Sequence, residues 1–440
     1  MCNMKYDVIR SYWPAPIYDT DTALLALDFT AGAVPTALTF TRADSTARAT
    51  FIDASGYVKT VASAGAARFD YTGGVAKGLL IEAAATNIMF RSQAINTSPW
   101  FNAGTMTISQ TGAGSPANDS TSNTVTWTNS TGAGGAWLQQ VVSVSGSQLV
   151  VGTAYTWSVW LKSRGGRRVN FFAFLNGTSG NVELRVDFGV SPPTVTATSS
   201  TGWTSIQTPS IVEYPNGWYK VTTGGTVPAS TTSVSFGMSN SDSVPATGTN
   251  GYEAWGFQLE ANSAASSYIP TTSSTLQRLA DDAVIRSTAW TSLYAQPGAM
   301  VVEFYRGAYG AGSRSVLATD TTAARHWDLL HANGSATAQI AFSSGSAVTQ
   351  TGLVSGLNKV ALAWNAPTPT ASFDLCVNGA TPTFGGSNVG TTLSTWLTLG
   401  SQSTTGVSGS GTWDNYLNNS IKSVKYYTGL TYAEMQAKTT

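Results

Sequence analysis

The chain has 440 residues, of which 42% are hydrophobic and only 10% are charged, and its 23 basic and 23 acidic residues cancel. This apolar content predicts folded domains with their own cores rather than a disordered chain, and the lack of a concentrated basic surface argues against nucleic acid as a partner. With only Cys2 and Cys376, a disulfide framework is excluded, and no stretch reaches the length of a membrane span.

Residues 1–24 form a non-periodic segment that is rich in aromatic residues and proline. Such a segment has no apolar face of its own against which to bury its rings. Two interpretations are equally open: the segment docks onto another protein, or it folds back onto its own chain. Under the first, the anchoring residues are Tyr6, Tyr12, Trp13, Pro14 and Tyr18. The segment also lacks the apolar run of a secretory signal peptide.

Residues 25–93 contain short strands separated by turns, which predict a small β-rich collar. Residues 94–272 predict a first large sandwich. Within it, residues 155–162 alternate between an apolar set that includes Trp157 and a set that includes Trp160. This period of two predicts a strand with one buried face.

Residues 273–284 are polar and predict a connector, and residues 285–440 predict a second sandwich. The chain is therefore predicted to be all-β, with two antiparallel, jelly-roll-like β-sandwiches in series. They follow an extended N-terminal segment and the collar.

Two local signals in the last hundred residues are more specific. Asn378 and Gly379 follow a predicted strand and favour a tight type I′ turn. Thr431 is followed three residues later by Glu434, which is the spacing of a capping box and predicts one short C-terminal helix.

Outward-facing aromatic side chains are the first requirement for a sugar site. A ring stacks on the apolar face of a pyranose while nearby polar groups bind its hydroxyls. Trp157, Trp255 and Trp364 fall on predicted inward faces and are assigned to cores. Trp218 and Tyr219 alternate, so one of the two should point outward. The candidate glycan-binding residues are Trp127, Trp137, Trp160, Trp203, Trp218 and Tyr219. The alternative is that these rings pack against another subunit or domain.

Several short phrases occur in a fixed order along residues 25–272. They are Leu27-Asp28-Phe29, Thr41-Arg42-Ala43, Arg68-Phe69-Asp70, Gly78-Leu79-Leu80-Ile81-Glu82, Ala85-Thr86-Asn87-Ile88, Gly256-Phe257-Gln258-Leu259-Glu260 and Ser267-Tyr268-Ile269-Pro270-Thr271-Thr272. In this order and at these spacings they resemble tailed-bacteriophage virion proteins, namely head-spike and tail-fibre modules. The resemblance implies a carbohydrate-binding-module-like β-sandwich over residues 94–272.

Residues 285–440 carry a second resemblance. Its phrases are Phe373-Asp374-Leu375, Val377-Asn378-Gly379, Trp396-Leu397-Thr398-Leu399-Gly400, Tyr426-Tyr427 and Leu430-Thr431. They look like the concanavalin-A-like, laminin-G-type sandwich. Lectins, glycanases and plain spacers share that fold, so the resemblance implies a fold and no function.

Together the resemblances imply a virion surface protein, a head or tail fibre or a decoration protein, assembled in the bacterial host cytoplasm. Its N-terminal segment would bind other capsid or tail proteins, and its sandwiches would touch host glycans. Analogy with fibres implies a homotrimer. Two alternatives stay open, a capsid or tail cement protein without a host ligand and a glycan depolymerase.

No catalytic residues are predicted, so the chain is not expected to be an enzyme. Glycanases with the concanavalin-A-like fold carry a Glu-x-Asp-x-x-Glu string, which this sequence lacks. Glu183 and Asp187 share a predicted strand face, but a separation of about 13 Å is too wide for one glycosidic bond. His326 and His331 are interpreted as ordinary surface or edge residues.

No metal site is predicted from a ligand cluster, and zinc lacks sufficient ligands. Calcium needs only loop carboxylates and carbonyl oxygens. The loops Asn240-Ser241-Asp242 and Asp414-Asn415 offer such groups, so a structural calcium ion is the one cofactor that the sequence leaves open.

Overall fold

The computed structural model describes residues 23–104, 106–110, 114–127, 136–144, 148–240, 251–286, 288–307, 313–319, 327–331, 336–342, 347–364, 370–389, 396–403, 413–414 and 416–440. Antiparallel strands dominate these residues, which confirms the predicted all-β fold. The predicted anchoring residues Tyr6, Tyr12, Trp13, Pro14 and Tyr18 lie outside the described residues.

Seven strands precede residue 90. They are β1 (Leu25–Asp28), β2 (Thr39–Thr41), β3 (Thr50–Ile52), β4 (Val58–Thr60), β5 (Phe69–Thr72), β6 (Val75–Ile81) and β7 (Ala85–Asn87). The next twelve are β8 (Phe101–Ala103), β9 (Met106–Gln110), β10 (Asn123–Trp127), β11 (Trp137–Ser143), β12 (Ala154–Arg164), β13 (Arg168–Asn176), β14 (Asn181–Asp187), β15 (Thr194–Thr201), β16 (Ser210–Tyr214), β17 (Trp218–Thr226), β18 (Ser233–Asn240) and β19 (Gly251–Glu260).

The remaining strands lie beyond residue 275. They are β20 (Leu276–Arg278), β21 (Asp282–Arg286), β22 (Gly298–Arg306), β23 (Arg314–Thr319), β24 (Trp327–His331), β25 (Thr337–Phe342), β26 (Ala347–Thr351), β27 (Gly356–Trp364), β28 (Thr370–Val377), β29 (Thr383–Val389), β30 (Trp396–Leu399), β31 (Gln402–Ser403), β32 (Trp413–Asp414) and β33 (Asn419–Tyr427). Two α-helices accompany them in the described residues, Thr288–Tyr294 and Tyr432–Thr439.

One sandwich combines both ends of the described chain, residues 25–81 and 282–440. We call it the terminal sandwich. One sheet has the order β29-β28-β27-β22-β33-β6-β5, with β1 also paired to β33. The facing sheet has the order β2-β21-β30-β23-β24-β25-β26. Their shared core includes Phe29, Trp327 and Trp364, so it draws on both ends of the chain.

Residues 101–260 form the second unit, which we call the central sandwich. Its inner sheet has the order β16-β17-β12-β19-β10-β9, and its outer sheet has the order β15-β14-β13-β18-β11-β8. Trp157 and Phe257 of the inner sheet meet Phe171 and Phe236 of the outer sheet in the core. All these strands lie within residues 94–272, the range in which the sequence predicted a large sandwich.

Residues 25–93 do not form the separate collar that the sequence predicted. Strands β1 and β6 pair with β33, and β2 pairs with β21, so hydrogen bonds join this segment to the terminal sandwich. The predicted connector at 273–284 is also not a plain linker, because it contains β20 and the start of β21. Composition and spacing report local structure only, whereas these pairings join strands hundreds of residues apart.

The inner sheet is buried on both faces along β12, whereas the sequence predicted one buried face. Trp157 points into the core of the central sandwich, and Trp160 points into a second apolar cluster. The other fully buried members of that cluster are Val58, Trp218, Trp255 and Tyr268. The hairpin of β3 and β4 supplies Val58 and so covers a sheet face that would otherwise meet solvent.

A β-bulge in β19 places Trp255 and Phe257, two residues apart in the sequence, on opposite faces of the inner sheet. Gly256 has φ of 68° and the pairing of β12 with β19 shifts register at this point. Trp255 is buried, as predicted, but it joins the second cluster, whereas Phe257 lies in the core of the central sandwich. The extra residue of a bulge reverses the alternation of side chains along the strand.

We expect Gly256→Ala to destabilise the protein more than Gly152→Ala, its matched control. Both glycines have positive φ, which costs about 1–2 kcal/mol for alanine. A Cβ at Gly256 would also lie 2.7 Å from the Trp160 ring, whereas nothing lies within 4 Å of a Cβ at Gly152. Urea unfolding of both variants measures the difference, and equal losses of stability would show that the bulge tolerates a side chain.

Both specific local predictions in the last hundred residues are confirmed. Asn378 and Gly379 both have positive φ, at 46° and 74°, as a type I′ turn requires. Thr431 accepts from the Glu434 N–H, and the Glu434 carboxylate accepts from the Thr431 N–H, which completes the capping box. The helix Thr288–Tyr294 was not predicted; it inserts Trp290 and Tyr294 into the core of the terminal sandwich.

Candidate functional site

The outer sheet turns one face towards the core and the other face away from it. Val169, Phe171, Ala173 and Leu175 of β13 enter the core. The residues between them therefore point to the opposite side, which we call the open face. Its side chains include Phe101, Trp137, Gln139, Val141, Asn170, Phe172, Phe174, Glu183 and Arg185.

Antiparallel pairing aligns the open-face side chains in rows across the sheet. In one row, Trp137 is opposite Ser239, and Ser239 is opposite Asn170. In the next row, Gly237 is opposite Phe172. Adjacent strands are about 4.8 Å apart, so Trp137 and Asn170 stand about 10 Å apart across three strands. One ligand lying along the row can therefore contact both.

Exposed apolar side chains are grouped on this face. Phe101 is 57% exposed, Val141 is 53% exposed and Phe174 is 37% exposed. Phe172 lies on the same face but is 2% exposed, and its ring centroid lies 4.6 Å from that of Phe174. Single exposed apolar residues are ordinary, whereas a group on one sheet face marks an interaction surface.

Gly237 lies near the middle of the open face and cannot carry a side chain. A Cβ at this position would lie 1.9 Å from the carbonyl oxygen of Leu138 on the neighbouring strand. The glycine therefore leaves the space between Gln139 and Phe172 without a side chain of its own.

Asn170 supplies the polar group at the centre of the open face. Its Nδ2 donates to Oε1 of Glu183 at 2.5 Å. Its Oδ1 is buried and accepts no hydrogen bond from any residue that the structure describes. Because an unsatisfied buried acceptor is costly, this oxygen favours a hydrogen bond from a ligand hydroxyl or from water.

The structure brings one predicted tryptophan to this face. Trp137 lies in the first row of the open face and is half-buried. Tyr219 is also half-buried, but it belongs to the inner sheet and packs its ring 5.9 Å from that of Phe188. Trp127 ends β10, and its side chain lies outside the described part of the chain.

Three predicted glycan-binding residues are buried. For Trp160 and Trp203 the expectation of an outward or loop position was wrong, whereas the alternation of Trp218 with Tyr219 predicted only that one of the two would point outward, and Tyr219 is the more exposed. Trp160 is covered by the hairpin of β3 and β4 and by the segment that contains Tyr268. Trp218 joins the same cluster and donates its indole N–H to the carbonyl oxygen of Gly114 at 2.9 Å. Trp203 closes the core of the central sandwich, with its ring 5.1 Å from that of Trp157.

A second concave site lies between the two sandwiches. It is a cleft of about 190 Å³ that receives residues from both. We call it the inter-sandwich cleft, and its polar or aromatic lining includes Asp70, Lys77, Glu82, Trp160, Tyr214, Lys220, Ser267 and Asn419. Half-buried residues such as Lys77 and Asn419 connect it to solvent.

A buried ionic network borders this cleft. The Arg68 guanidinium lies 2.5 Å from both Glu82 and Asp281, and all three side chains are essentially inaccessible to solvent. Arg68 also donates to Oγ of Ser267, just after the last strand of the central sandwich. Arg68 therefore ties the chain leaving the central sandwich to the terminal sandwich.

Two further arginines extend the network. Arg42 contacts Asp44 at 2.7 Å and Asp281 at 3.0 Å, and Arg278 lies 3.4 Å from Glu82. We call these six residues the ionic junction: Arg42, Asp44, Arg68, Glu82, Arg278 and Asp281. Their three positive and three negative charges cancel, so the attraction between them offsets the desolvation cost of burying six ions.

The ionic junction controls the ionisation of Glu82. Burial opposes its charged form, but Arg278 and Arg68, together with hydrogen bonds from Ser267, outweigh burial and hold its pKa at about 2. Glu82 is therefore ionised over the whole physiological range. Its negative charge is paired with Arg68 and Arg278 of the ionic junction.

The phrases that carry the phage resemblance meet at this junction. Arg42, Arg68 and Glu82 each come from a different phrase, and Ser267 comes from a fourth. The phrases were recognised from the sequence, but the ion pairs that join them were not. The spacing of residues along the chain does not show which distant charges are paired in the fold. From the sequence alone, each of these residues would be interpreted as an ordinary charged residue at the surface.

Asp70 and Glu82 line the inter-sandwich cleft together, and paired carboxylates are what a glycosidase requires. Burial raises the pKa of Asp70, with Lys77 opposing it. Both oxygens of Glu82, however, already accept hydrogen bonds, Oε1 from the Ser267 N–H and Oε2 from Arg68 and the Ser267 hydroxyl. A carboxylate held by this many donors is a poor nucleophile or base, so the pair does not support the depolymerase alternative.

The structure tests the prediction for one histidine, and it does not test the candidate calcium loops. His331 was interpreted as a surface or edge residue, but it is fully buried in β24, which is paired on both sides. Burial lowers its pKa to about 4, and Arg306 and Arg314 act in the same direction. His326 lies outside the described residues, as do Ser241, Asp242 and Asn415 of the candidate calcium loops.

The described residues show neither a metal-ligand cluster nor a membrane-spanning helix. In that part of the chain no three or more His, Cys, Asp or Glu side chains are grouped so that they could hold a metal ion. Its helices are also too short or too polar to cross a membrane.

Known proteins resemble this chain only distantly. No protein-family model matches it, and no curated protein matches it. Among solved structures, domains LG4-5 of the mouse laminin alpha1 chain match at a TM-score of 0.21 and 10% identity, over 67% of this chain and 88% of that one. A mutant of the GH43 protein BlXynB from Bacillus licheniformis matches at a TM-score of 0.21 and 9% identity, over 91% and 99% of the two chains. Likeness at this level carries no argument about fold or function, so the description of both sites stands on their own geometry.

Proposed function

We propose that this chain is an adhesion protein of a virion surface and that it binds host glycans through the open face of the central sandwich. The observation that carries the proposal is the grouping of exposed Phe101 and Phe174 with half-buried Trp137 on one sheet face. Beside them stands the unsatisfied amide oxygen of Asn170.

The chemistry of the open face suits a sugar. A pyranose has an apolar face, which stacks on an aromatic ring, and a rim of hydroxyls, which bond to amides and carboxylates. Phe174 offers a ring for one sugar residue, and Asn170, about 13 Å away along the same strand, offers an acceptor to another residue of an extended glycan. Glu183 and Arg185 add polar groups of both kinds on the adjacent strand.

The virion placement rests on the ordered phrases of residues 25–272, and the ionic junction supports it physically. A junction of paired charges holds the central sandwich against the terminal sandwich. Such a connection suits a protein that must project a binding face from a particle. Single shallow sugar sites are weak, and several copies, by analogy with fibres a homotrimer, raise avidity without new contacts.

The proposal is tested by binding of the full chain to a broad array of bacterial surface polysaccharides. We expect at least one class to bind, and we expect Phe174→Ala to weaken that binding about tenfold, the effect of losing about 1.4 kcal/mol of stacking. Phe384→Ala is the matched control, since Phe384 is an exposed phenylalanine on the terminal sandwich. Its binding should equal that of the unmodified chain.

Three results would contradict the proposal. Silence across the array, with retained incorporation of the full chain into particles, would favour a cement protein. Release of shortened glycan products would favour a depolymerase. Equal losses from Phe174→Ala and Phe384→Ala would place the glycan elsewhere than on the open face.

A further inference from the structure

We propose that the inter-sandwich cleft is a second binding site, which takes a carboxylate group with Lys220 as its counterion. The ligand is an acidic sugar or a small free carboxylic acid, which present the same group. This inference does not depend on the open face.

Lys220 is the first reason. It lies in β17, lines the cleft, and places its Nζ 4.6 Å from the centre of the Trp160 ring. Within the described part of the chain no carboxylate forms an ion pair with this ammonium group. Burial lowers the pKa of Lys220, against the more distant charges of Glu260, Glu82 and Asp70. Lys220 is half-buried, and a partly desolvated cation without a direct counterion favours an incoming anion.

Two further donor groups belong to residues that line the same space. Tyr214 lines the cleft, and its hydroxyl makes no hydrogen bond to any described residue. Trp160 also lines the cleft, and its buried indole N–H has no partner in the described residues. The Tyr214 and Trp160 rings are packed edge to face with centroids 5.8 Å apart, so these donors are close neighbours.

The acceptors around the cleft are already engaged. Oδ1 of Asp70 accepts from the Ile52 N–H at 2.8 Å, and its Oδ2 faces Lys77 at 3.4 Å. Glu82 is neutralised by the ionic junction. With Asp70 paired to Lys77 and Glu82 paired to Arg68, Lys220 is left without an ion pair to a carboxylate that lines the cleft; Glu260, whose charge also acts on Lys220, is not part of the lining. A lining cation without a direct partner favours a ligand that brings a negatively charged acceptor, such as a carboxylate.

The dimensions of the cleft limit the ligand. Its volume of about 190 Å³ is below the range of about 300–1,000 Å³ typical of drug-sized ligands. A single sugar residue or a short organic acid suits this space, and a long oligosaccharide does not. The flat rings around Lys220 also provide an apolar wall for the carbon skeleton of such a ligand.

The test is a calorimetric titration of the full chain with glucuronic acid, acetate and glucose at neutral pH. We expect glucuronic acid to bind and glucose, which lacks the carboxylate, to show no binding. Binding of glucuronic acid but not acetate would identify an acidic sugar, whereas equal affinity for both would identify a free carboxylic acid. Lack of binding by both would overturn the proposal and leave a cleft that holds water only.

Variants locate the carboxylate. Lys220→Met should weaken binding at least tenfold, and Tyr214→Phe should weaken it several-fold. Lys425→Met is the matched control, because Lys425 is an exposed lysine on the terminal sandwich outside the cleft. If Lys220→Met and Lys425→Met bind equally well, Lys220 is not the counterion.

Two measurements keep the test decisive if Lys220→Met fails to fold. The Tyr214→Phe variant retains the cation and removes only a hydroxyl, and unchanged affinity in it would count against the proposed donors. In the unmodified chain, the NMR signal of the Trp160 indole N–H should shift when glucuronic acid is added, and an unmoved signal would contradict binding in the cleft. Phe174→Ala should leave the titration unchanged, so failure here and failure of the open-face proposal are distinguishable.

Discussion

Replacing Arg68 by methionine is expected to lower the free energy of unfolding by about 3–5 kcal/mol. The guanidinium group is the direct partner of both Glu82 and Asp281, and neither carboxylate can reach water. Removing it leaves buried negative charge with too little compensation, which is far more costly than losing an exposed ion pair. Denaturation in urea at neutral pH, followed by tryptophan fluorescence, measures the loss.

Two controls separate the charge effect from general damage. Arg167→Met removes an arginine that lies 3.8 Å from Asp187 and is 60% exposed, so its loss should be below about 1 kcal/mol. The double variant Arg68→Met/Glu82→Gln removes one stranded charge together with its partner. It should be less destabilised than the sum of the two single variants. An Arg68→Met protein no less stable than Arg167→Met would mean that the ionic junction contributes nothing.

The parts of the fold that follow from neighbouring residues were predictable. The alternation of residues 155–162 predicts β12, and the capping box of Thr431 and Glu434 predicts the C-terminal helix. The Asn378 and Gly379 turn is encoded in the same way, because positive φ is a property of these residue types. Each of these signals acts within one turn or one strand.

Pairings between distant strands were not predictable from such signals. Leu25 is opposite Tyr426, and Phe40 is opposite Ala283, yet no composition or period connects these positions. The burial of Trp160 has the same origin, since its cover comes from Val58, about a hundred residues earlier. A face that looks outward in one strand becomes core when a remote segment lies on it.

The open face left a signal in the sequence that alternation alone did not resolve. In β13, Phe171 and Ala173 alternate with Phe172 and Phe174, so both faces of one strand are apolar. A strand with two apolar faces is either buried on both sides or carries an exposed aromatic surface. Only the burial of Phe171 and the exposure of Phe174 decide between them.

The ionic junction explains a set of sequence phrases whose structural role could not be read from the sequence. The phrases around Arg42, Arg68 and Glu82 pointed to a family, and the structure gives them a mechanical role instead. Because the junction bonds the chain leaving the central sandwich, at Ser267, to the terminal sandwich, its residues contribute to stability.

Asp328 is a buried carboxyl group whose ionisation opposes folding. It lies in β24, and its Oδ1 accepts a hydrogen bond from the Ser315 hydroxyl at 2.7 Å. Its Oδ2 has no hydrogen-bond partner among the residues that the structure describes. Burial raises its pKa from the ordinary 3.8 to about 7, against the smaller effect of the Ser315 hydrogen bond.

The sign of the pH dependence follows from this raised pKa. The folded protein holds a proton on Asp328 that the unfolded chain has already released, so its contribution to stability is fully present below pH 3.8 and is lost as the pH rises through about 7. The difference between 3.8 and about 7 corresponds to about 4 kcal/mol. His331 acts in the opposite direction, because its pKa is lowered, but it is present in both proteins compared below and cancels.

Replacing Asp328 by asparagine should therefore flatten the stability profile between pH 4 and pH 8. The stability of Asp328→Asn relative to the unmodified chain should rise by about 4 kcal/mol across this interval. Asparagine keeps an acceptor for Ser315 and has no proton to lose. Asp187→Asn is the matched control: burial raises the pKa of Asp187 slightly, but hydrogen bonds from Arg168 and Gly189 outweigh it and lower that pKa, so this change should leave the interval unaltered. Urea unfolding at each pH gives the profiles. Parallel curves for Asp328→Asn and the unmodified chain would mean that the carboxyl group ionises in the folded protein as readily as in the unfolded one, because some group then stabilises its charge.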